Sequence, residues 1–185
     1  MAAVTADQVQ TRMTAAEFLA LPESNLVTEL LEGEVFVSPA ASDEHQKISG
    51  HIHLLLAQLI SGGALRYAPA DVQLDKHNVV QPDLFWVKED NPHCRLENRR
   101  WCGAPDLVVE ILSPGTARHD RGTKFTLYEK HGVREYWLVE PEAQFVEVYV
   151  LREGRFVRQG LYEPKDTFTS PVLGEQTVET GKLFG

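Results

Sequence analysis

Three acidic residues lie in stretches of the sequence whose other side chains are mostly bulky and apolar. Glu110 interrupts the run 107–112, and Asp83 interrupts the run 79–87. Glu29 lies in a third stretch, which is strand-like. A carboxylate buried without a partner costs on the order of several kcal/mol, so such a group must be protonated, paired with a cation or bound to a metal. Each acid taken alone could instead lie at a strand end and reach solvent.

Taken together, the three carboxylates predict an oxygen-rich site for a hard divalent cation. In extended strands, alternation places Asp83 on the face of Phe85 and Glu29 on the face of Leu31. The second assignment fails if residues 26–31 form a helical turn. Mg²⁺ prefers one or two carboxylates plus water, and Mn²⁺ can replace it. Such a cation lowers the pKa of a bound water and stabilises charge on a scissile phosphate.

Lys124 is the fourth candidate for chemistry. It lies on a predicted helix over 117–131, one turn from Asp120 and Tyr128. Spacing alone favours an exposed i, i+4 ion pair with Asp120, which contributes only a few tenths of a kcal/mol. The functional alternative is an ammonium group directed at a water nucleophile or a phosphate.

The elements that must position these residues alternate between strands and helices. Capping-box spacing predicts a helix over 14–21, and Ser42 is the predicted N-cap of an amphipathic helix over 44–60. Strands are predicted over 26–37 with a turn at Gly33, then over 65–75, 79–88, 107–112, 135–140, 145–151 and 155–161, with weaker signals around Phe168 and Val178 and a loop at 89–104. This order predicts one mixed α/β sheet with helices packed against it.

Charge and composition exclude several classes of protein. The chain has 185 residues, with 27 acids against 18 bases and a net charge of -9, which excludes a protein that holds nucleic acid by bulk positive charge. Residues 51–134 are the exception, with eleven bases against ten acids. Arg118 and Arg121 belong to this segment. Such a segment either meets an anionic partner or is ordinary solvated surface, and charge alone favours the second interpretation.

Length and composition indicate one globular domain. Hydrophobic residues make up 43% of the chain and charged residues 24%, as in globular rather than disordered proteins. We expect a flexible N-terminal segment at 1–12 and a single domain at 13–185. No apolar run approaches the roughly 20 residues of a membrane-spanning helix, and no secretory signal is evident. The two cysteines are too few for a disulfide scaffold, so a cytoplasmic location is expected.

An ordered set of short motifs covers most of the chain. These motifs are residues 29–35, 45–50, 81–84 (Gln-Pro-Asp-Leu) and 105–114, then Asp120 with Lys124 and Tyr128, and finally residues 132–141. In this order they resemble the Uma-type restriction endonucleases, a branch of the PD-(D/E)XK nuclease superfamily. The resemblance spans roughly residues 13–185, and it is specific as an ordered set although each motif is short.

The resemblance implies a restriction-endonuclease-like mixed β-sheet core flanked by helices, with additional N-terminal and C-terminal strands. By position, Asp83 and Glu110 are the superfamily's paired acids, and Glu29 takes the place of the acid of its N-terminal helix. The superfamily's usual lysine, two positions after the glutamate, is Leu112 here. The resemblance assigns that role to Lys124 on the following helix, which reverses the interpretation from spacing.

The resulting hypothesis is an Mg²⁺- or Mn²⁺-dependent endonuclease that hydrolyses phosphodiester bonds of DNA. Asp83 and Glu110, with the carbonyl of Ile111, would bind the cation. Lys124 would orient the attacking water, and Glu29 would support the metal through water or at a second site.

DNA, a homodimer and two rival functions complete the sequence-based expectations. Arg118 and Arg121 would hold the DNA backbone, and a dimer is expected because nucleases of this superfamily often pair to cut both strands. One rival is a catalytically inactive module that binds nucleic acid or protein, against which the intact Asp83, Glu110 and Lys124 weigh. The other is a metal-dependent hydrolase of a small phosphorylated molecule. A deep closed pocket with no basic margin would favour this second rival.

Overall fold

The computed structural model describes residues 12–22 and 26–185. Apart from its last residue, the predicted N-terminal segment 1–12 therefore lies outside the described residues. Helices α1–α5 span Ala15–Phe18, Asp43–Leu59, Ala117–His119, Phe125–His131 and Gly181–Phe184, with a π-helical turn at Asp120–Lys124 between α3 and α4. In the described part of the chain, no helix is long and apolar enough to cross a membrane.

Fourteen strands are present among the described residues. They are β1 (Thr28–Leu31), β2 (Glu34–Val37), β3 (Ala64–Tyr67), β4 (Val72–Asp75), β5 (Asn78–Val80), β6 (Leu84–Val87), β7 (Arg95–Glu97), β8 (Arg100–Cys102), β9 (Leu107–Ile111), β10 (Glu135–Glu140), β11 (Phe145–Arg152), β12 (Arg155–Tyr162), β13 (Thr167–Ser170) and β14 (Gln176–Glu179). The predicted weak strands around Phe168 and Val178 are confirmed as the hairpin β13–β14.

Two six-stranded mixed sheets form the body of the protein. The first sheet has the order β2-β1-β5-β4-β8-β7, and the second has the order β12-β11-β10-β9-β6-β3. Strands β9 and β10 are parallel in the second sheet, as are β4 and β8 in the first. The predicted α/β class with flanking helices is confirmed, but the expectation of one sheet is wrong.

Two prolines explain why the single predicted sheet is divided. The predicted strand 79–88 is broken at Pro82, so that β5 joins the first sheet and β6 joins the second. The predicted strand 65–75 is broken in the same way around Pro69, between β3 and β4. Because proline has no backbone N–H to donate to a ladder, a strand that contains it tends to end or bend there. Both breaks carry the chain from one sheet to the other.

The strand β9 is buried on both faces, as its apolar run predicts. On one face, the side chains of Leu107, Val109 and Ile111 pack in a core cluster that includes the apolar stripe of α2. On the other face, Val108 and Leu112 belong to a second cluster formed with α4 and the first sheet. Glu110 lies between these two residues in sequence, so alternation directs its carboxylate into the second face.

Local capping signals position α1 and α2. Thr14 and Glu17 form the predicted capping box, and Ser42 caps α2 by accepting a hydrogen bond from the backbone N–H of His45. Helix α1 ends earlier than predicted, at Phe18. The predicted loop 89–104 contains the hairpin β7–β8, whose three-residue strands are too short to give an apolar pattern in the sequence.

Candidate active site

The four predicted catalytic residues meet at the base of one cleft between the two sheets. Asp83 lies in the connection between β5 and β6, rather than inside a strand as its alternation assignment assumed. Glu110 lies on β9, Glu29 lies on β1, and Lys124 ends the π-helical turn. All four line a cleft of about 1680 Å³. The prediction that residues 26–31 contain a strand is confirmed by β1. Glu29 shares the face of Leu31, as predicted, because neither side chain belongs to the cluster that buries Leu30.

Lys124 is the centre of the site. Its amine Nζ lies 2.7 Å from Glu110 Oε1, 3.1 Å from Glu29 Oε1 and 3.3 Å from Asp120 Oδ1. An ammonium group has three N–H donors, so these three carboxylates use all of them. The residue is 3% exposed. The pair with Asp120 that spacing favoured is present, but the expectation that it is exposed is wrong because both partners are buried.

A π-helical turn delivers this lysine into the interior. The predicted continuous helix 117–131 is instead α3, the turn Asp120–Lys124 and α4. Both end residues of the turn are buried, whereas Arg121 and Gly122 between them are exposed. Single π-helical turns inside α-helices are rare and occur frequently at functional sites.

The electrostatics of this cluster make ionisation of its carboxyl groups costly, because one lysine compensates only part of their charge. Burial raises the pKa of Glu110 well above its ordinary value and outweighs the attraction of Lys124, and the charges of Asp120, Asp83 and Glu29 raise it further. Burial also raises the pKa of Asp120. Burial lowers the pKa of Lys124, but the surrounding carboxylates raise it by more, so the lysine stays charged. One ammonium shared by several buried carboxyls is the charge distribution that a bound cation relieves.

Asp83 is held by contacts on its backbone and on its side chain. Its Oδ2 atom accepts a hydrogen bond of 2.7 Å from the backbone N–H of Ile111. Its own backbone N–H lies 3.4 Å from Glu110 Oε2, which makes a long hydrogen bond. The ring of His45, from the first turn of α2, places Nε2 3.1 Å from Asp83 Oδ2. The chain thus ties the two paired acids together directly.

His45 is a site residue that sequence reasoning did not select. It was recognised only as the first residue of a family motif, because nothing in its spacing along a helix indicates chemistry. Burial lowers the pKa of its ring, but the hydrogen bond and charge of Asp83, with further contributions from Asp120 and the backbone of Ile111, raise it by more. The available signal was the N-cap Ser42, which places His45 three residues into a helix that must pack against β9.

Tyr128 and Gln81 complete the surroundings of the acids. The hydroxyl of Tyr128, which is fully buried on α4, donates a hydrogen bond of 2.8 Å to Glu110 Oε1. The backbone N–H of Gln81 donates one of 2.8 Å to Glu29 Oε1. Because Gln81 precedes the Pro82-Asp83 pair, this contact fixes the connection that carries Asp83.

The donor set can be compared with what a divalent cation requires. Among the described residues, no group of three or more His, Cys, Asp or Glu side chains has the arrangement of a metal centre. Asp83, Glu110 and Ile111 nevertheless all line the cleft, and the backbone N–H of Asp83 contacts the Glu110 carboxylate. Carboxylate and carbonyl oxygens are the ligands of Mg²⁺ and Mn²⁺, which complete their shells with water. The donor atoms therefore have the chemistry that a hard cation requires, but water would have to supply most of its coordination shell.

Comparisons with known proteins agree with this arrangement. A family model named Uma2 and described as "Putative restriction endonuclease" matches residues 15–180. The chain belongs to the Uma2 family. Two uncharacterized proteins of Synechocystis sp., slr1290 and sll1609, are each 26% identical to this Uma2 protein, over 65% and 74% of its length. The matches cover 64% of slr1290 and 80% of sll1609.

A solved structure shares the fold. A crystal structure titled as a putative nuclease belonging to DUF820, from Anabaena variabilis, superposes with a TM-score of 0.76. The match covers 93% of this Uma2 chain and 97% of the other chain, at 22% sequence identity. The nuclease-like fold suggested by the sequence motifs is therefore present.

The two arginines predicted to contact DNA do not line the cleft. Arg121 pairs with Glu147 on β11, which also binds Arg158. Arg118 is exposed. Among the described residues, the arginine that lines the cleft is Arg100 on β8, within the segment predicted as the loop 89–104.

The cleft of this Uma2 protein is acidic. Among the described residues, its lining contains eight carboxylates, Glu29, Glu44, Asp71, Asp83, Glu110, Asp120, Glu140 and Glu142, against the permanently charged cations Arg100 and Lys124. An anionic substrate therefore meets repulsion unless cations are bound first.

The second Pro-Asp pair of the sequence is structural. The carboxylate of Asp106 accepts hydrogen bonds from the backbone N–H of Lys88, the side chain of Asn91 and the guanidinium of Arg134. It ties β6 and β9 to the segment before β10, and it is not among the residues that line the cleft. Of the two Pro-Asp pairs, only the one at Asp83 belongs to the site.

Proposed function

We propose that this Uma2 protein is a divalent-cation-dependent nuclease that hydrolyses phosphodiester bonds of DNA. The observation that carries the proposal is the excess of buried carboxylate around Glu110 at the base of the cleft. Such a cluster lowers the stability of the fold, and groups of this kind are frequent at functional sites. A divalent cation would neutralise the charge of the cluster. A bound Mg²⁺ or Mn²⁺ would supply Lewis-acid stabilisation of the phosphate and a water of lowered pKa.

Each residue of the chain has a distinct task in this proposal. Asp83 and Glu110, with the carbonyl of Ile111, would hold the cation. Lys124 lowers the cost of ionising Glu110 and would orient the attacking water through the Glu110 carboxylate, because its own N–H donors already contact three carboxylates. Glu29 is a positioning residue, because it contacts both Lys124 and the backbone that precedes Asp83.

The size of the cleft favours a polymer over a small phosphorylated molecule. Pockets for small ligands enclose roughly 300–1,000 Å³, whereas this cleft encloses about 1680 Å³ and spans both sheets. Its acidic lining argues against tight binding of phosphate by the protein alone. We therefore expect DNA to bind weakly without divalent cations, with Arg100 and the exposed Arg118 as the residues that approach its backbone.

The test is cleavage of plasmid and oligonucleotide DNA in Mg²⁺ or Mn²⁺, with a small phosphodiester such as bis(p-nitrophenyl) phosphate in parallel. Asp83→Asn and Glu110→Gln keep the size of each side chain and remove its charge. The cleavage rate of both variants should fall by a factor of roughly 100 or more, because a bound cation contributes several kcal/mol of transition-state stabilisation. Asp90→Asn is the matched control, since Asp90 is an exposed acid outside the cleft.

The possible outcomes separate the candidate functions. Cleavage that survives in both site variants would overturn the assigned roles. Absence of DNA cleavage with either cation would overturn the nuclease proposal and favour an inactive binding module. Hydrolysis of the small diester without any hydrolysis of DNA would favour the small-molecule enzyme instead.

A further inference from the structure

We propose that Tyr67, supported by His53, is a stacking platform for an unpaired nucleobase, and that the cleft takes DNA that contains unpaired nucleotides. The inference rests on the proposed function, because it takes a DNA phosphodiester to lie at Asp83 and Glu110. It adds to that function the structural class of DNA that the cleft accepts.

The exposure of Tyr67 is the first argument. Among the described Phe, Tyr and Trp residues it is the only exposed one, at 59%, and it lines the cleft. Its ring meets the ring of His53 on α2 at a centroid distance of 5.0 Å and an interplanar angle of 78°. In such an edge-to-face pair Tyr67 gives at most one face to His53, so its other face stays open. The contact also restrains the ring, which reduces the entropy lost when a ligand stacks on it.

The position of Tyr67 beside Asp83 is the second argument. Tyr67 is the last residue of β3 and pairs with Leu84 on β6. The next backbone N–H, that of Ala68, donates a hydrogen bond of 2.9 Å to the carbonyl of Asp83. Neighbouring strands lie about 5 Å apart, so the segment that carries Asp83 runs directly beside the one that carries Tyr67. A base near a phosphate at Asp83 can therefore reach the ring of Tyr67.

The charge of the cleft is the third argument. Among the described residues, eight carboxylates and two permanently charged cations line it, so phosphate groups alone are poorly held there. Leu21 and Val35, which are also exposed, line the cleft together with Tyr67. A nucleobase is uncharged at neutral pH and stacks on aromatic surface without this repulsion. The lining therefore favours contact with bases over contact with phosphates.

Only an unpaired base can use such a platform. In duplex DNA the neighbouring bases cover both faces of each base, so a protein that contacts a base face acts on single strands or extrudes the base. Stacking on aromatic rings holds single strands of any sequence, because every base has a π-face. We expect single strands to bind more tightly than fully paired DNA, with little dependence on base identity.

The experiment compares an oligothymidylate with an abasic strand of the same length, which keeps the phosphates and lacks the bases. Fluorescence anisotropy in Ca²⁺ gives the affinity, and cleavage is followed separately in Mg²⁺ and Mn²⁺. The variants are Tyr67→Ala and Tyr67→Phe. Leu54→Ala is the matched control, since Leu54 is an exposed apolar residue next to His53 that lies outside the cleft.

The expected results depend on the bases. Tyr67→Ala should weaken binding of oligothymidylate by about 5- to 150-fold, the range that loss of one base–aromatic stack gives. Tyr67→Phe keeps the ring, so it should stay within about twofold of the unaltered protein, as should Leu54→Ala. The abasic strand should bind weakly to the unaltered protein and equally weakly to Tyr67→Ala.

Failure of this inference is distinguishable from failure of the proposed function. Equal affinity of the unaltered protein for the two strands would overturn the platform, and this comparison decides the matter should Tyr67→Ala not fold. An equal loss in Tyr67→Phe and Tyr67→Ala would also overturn it, because the contact would then be made by the hydroxyl group. In both cases cleavage of DNA would leave the nuclease proposal standing. Base-dependent binding through Tyr67 without cleavage would support the platform and remove the nuclease proposal, and absence of any DNA binding would remove both.

Discussion

Replacing Lys124 with methionine tests whether a single ammonium group holds the buried acids together. The substitution keeps most of the side-chain volume and removes the charge that lies 2.7–3.3 Å from Glu110, Glu29 and Asp120. Removing one partner of a buried ion pair costs about 3–5 kcal/mol, because the remaining charge is left without compensation. Since Lys124 is 3% exposed, solvent screening does not reduce this value. The loss is a large share of the roughly 5–15 kcal/mol that stabilises a typical domain.

The assay is urea unfolding followed by circular dichroism, at several pH values. The loss of unfolding free energy should shrink as pH falls, because protonation of Glu110 and Asp120 removes the charges that Lys124 compensates. Both groups have a raised pKa, so this recovery begins above the pH at which an exposed carboxylate would be protonated. Lys130→Met is the control, because Lys130 is an exposed lysine on α4 and should change stability by less than about 0.5 kcal/mol.

A double-mutant cycle sharpens the same prediction. Glu110→Gln removes the carboxylate in closest contact with Lys124, so the double variant with Lys124→Met should be more stable than the sum of the two losses implies. A coupling of about 1–3 kcal/mol is expected for residues in direct contact. The reasoning is refuted if Lys124→Met costs less than about 1 kcal/mol at neutral pH, or if the cycle shows no coupling.

Two further predictions concern buried hydrogen bonds. Tyr128→Phe removes a donor to Glu110 and should destabilise the protein by about 1–3 kcal/mol in urea unfolding; a loss below about 0.5 kcal/mol would contradict the contact. Burial raises the pKa of Glu135 despite hydrogen bonds from Ser170, Trp137 and Val172. Its folded-state pKa therefore exceeds its unfolded one, and its contribution to stability, fully present below the unfolded pKa, is lost as pH rises through the folded pKa. Glu135→Gln should therefore reduce the fall in unfolding free energy as pH rises. An unchanged pH dependence of urea unfolding would disprove this prediction.

Local sequence patterns predicted most of the helices and strands. The stripe of α2 and the apolar run of β9 depend on periodicity, which neighbouring residues set by themselves. The capping residues Thr14 and Ser42 act within four residues of their partners, so their predictions hold. The hairpin β7–β8 was missed because each of its strands has only three residues, too few to show an alternating pattern.

The division into two sheets could not be predicted with the same certainty. Pro82 marks a break in the sequence, but a break does not say which sheet the chain joins next. That choice depends on pairing between strands distant in the sequence, such as Leu30 opposite Val79 and Leu84 opposite Val109. Long-range pairing is selected by packing of the whole core rather than by local propensity.

The sequence by itself determined which residues could do chemistry. An acid inside an apolar run is expensive wherever the run is buried, so burial cost pointed to Glu110, which is buried, and to Asp83, which lies beside its run rather than inside it. Only the tertiary structure decided how these acids are compensated. The π-helical turn that pairs Lys124 with Asp120 also brings the lysine amine to Glu110 on β9 and Glu29 on β1, and α2 brings the ring of His45 to Asp83. Charges interact through distances of a few ångströms in space, and no spacing along the chain encodes distances between elements that meet only on folding.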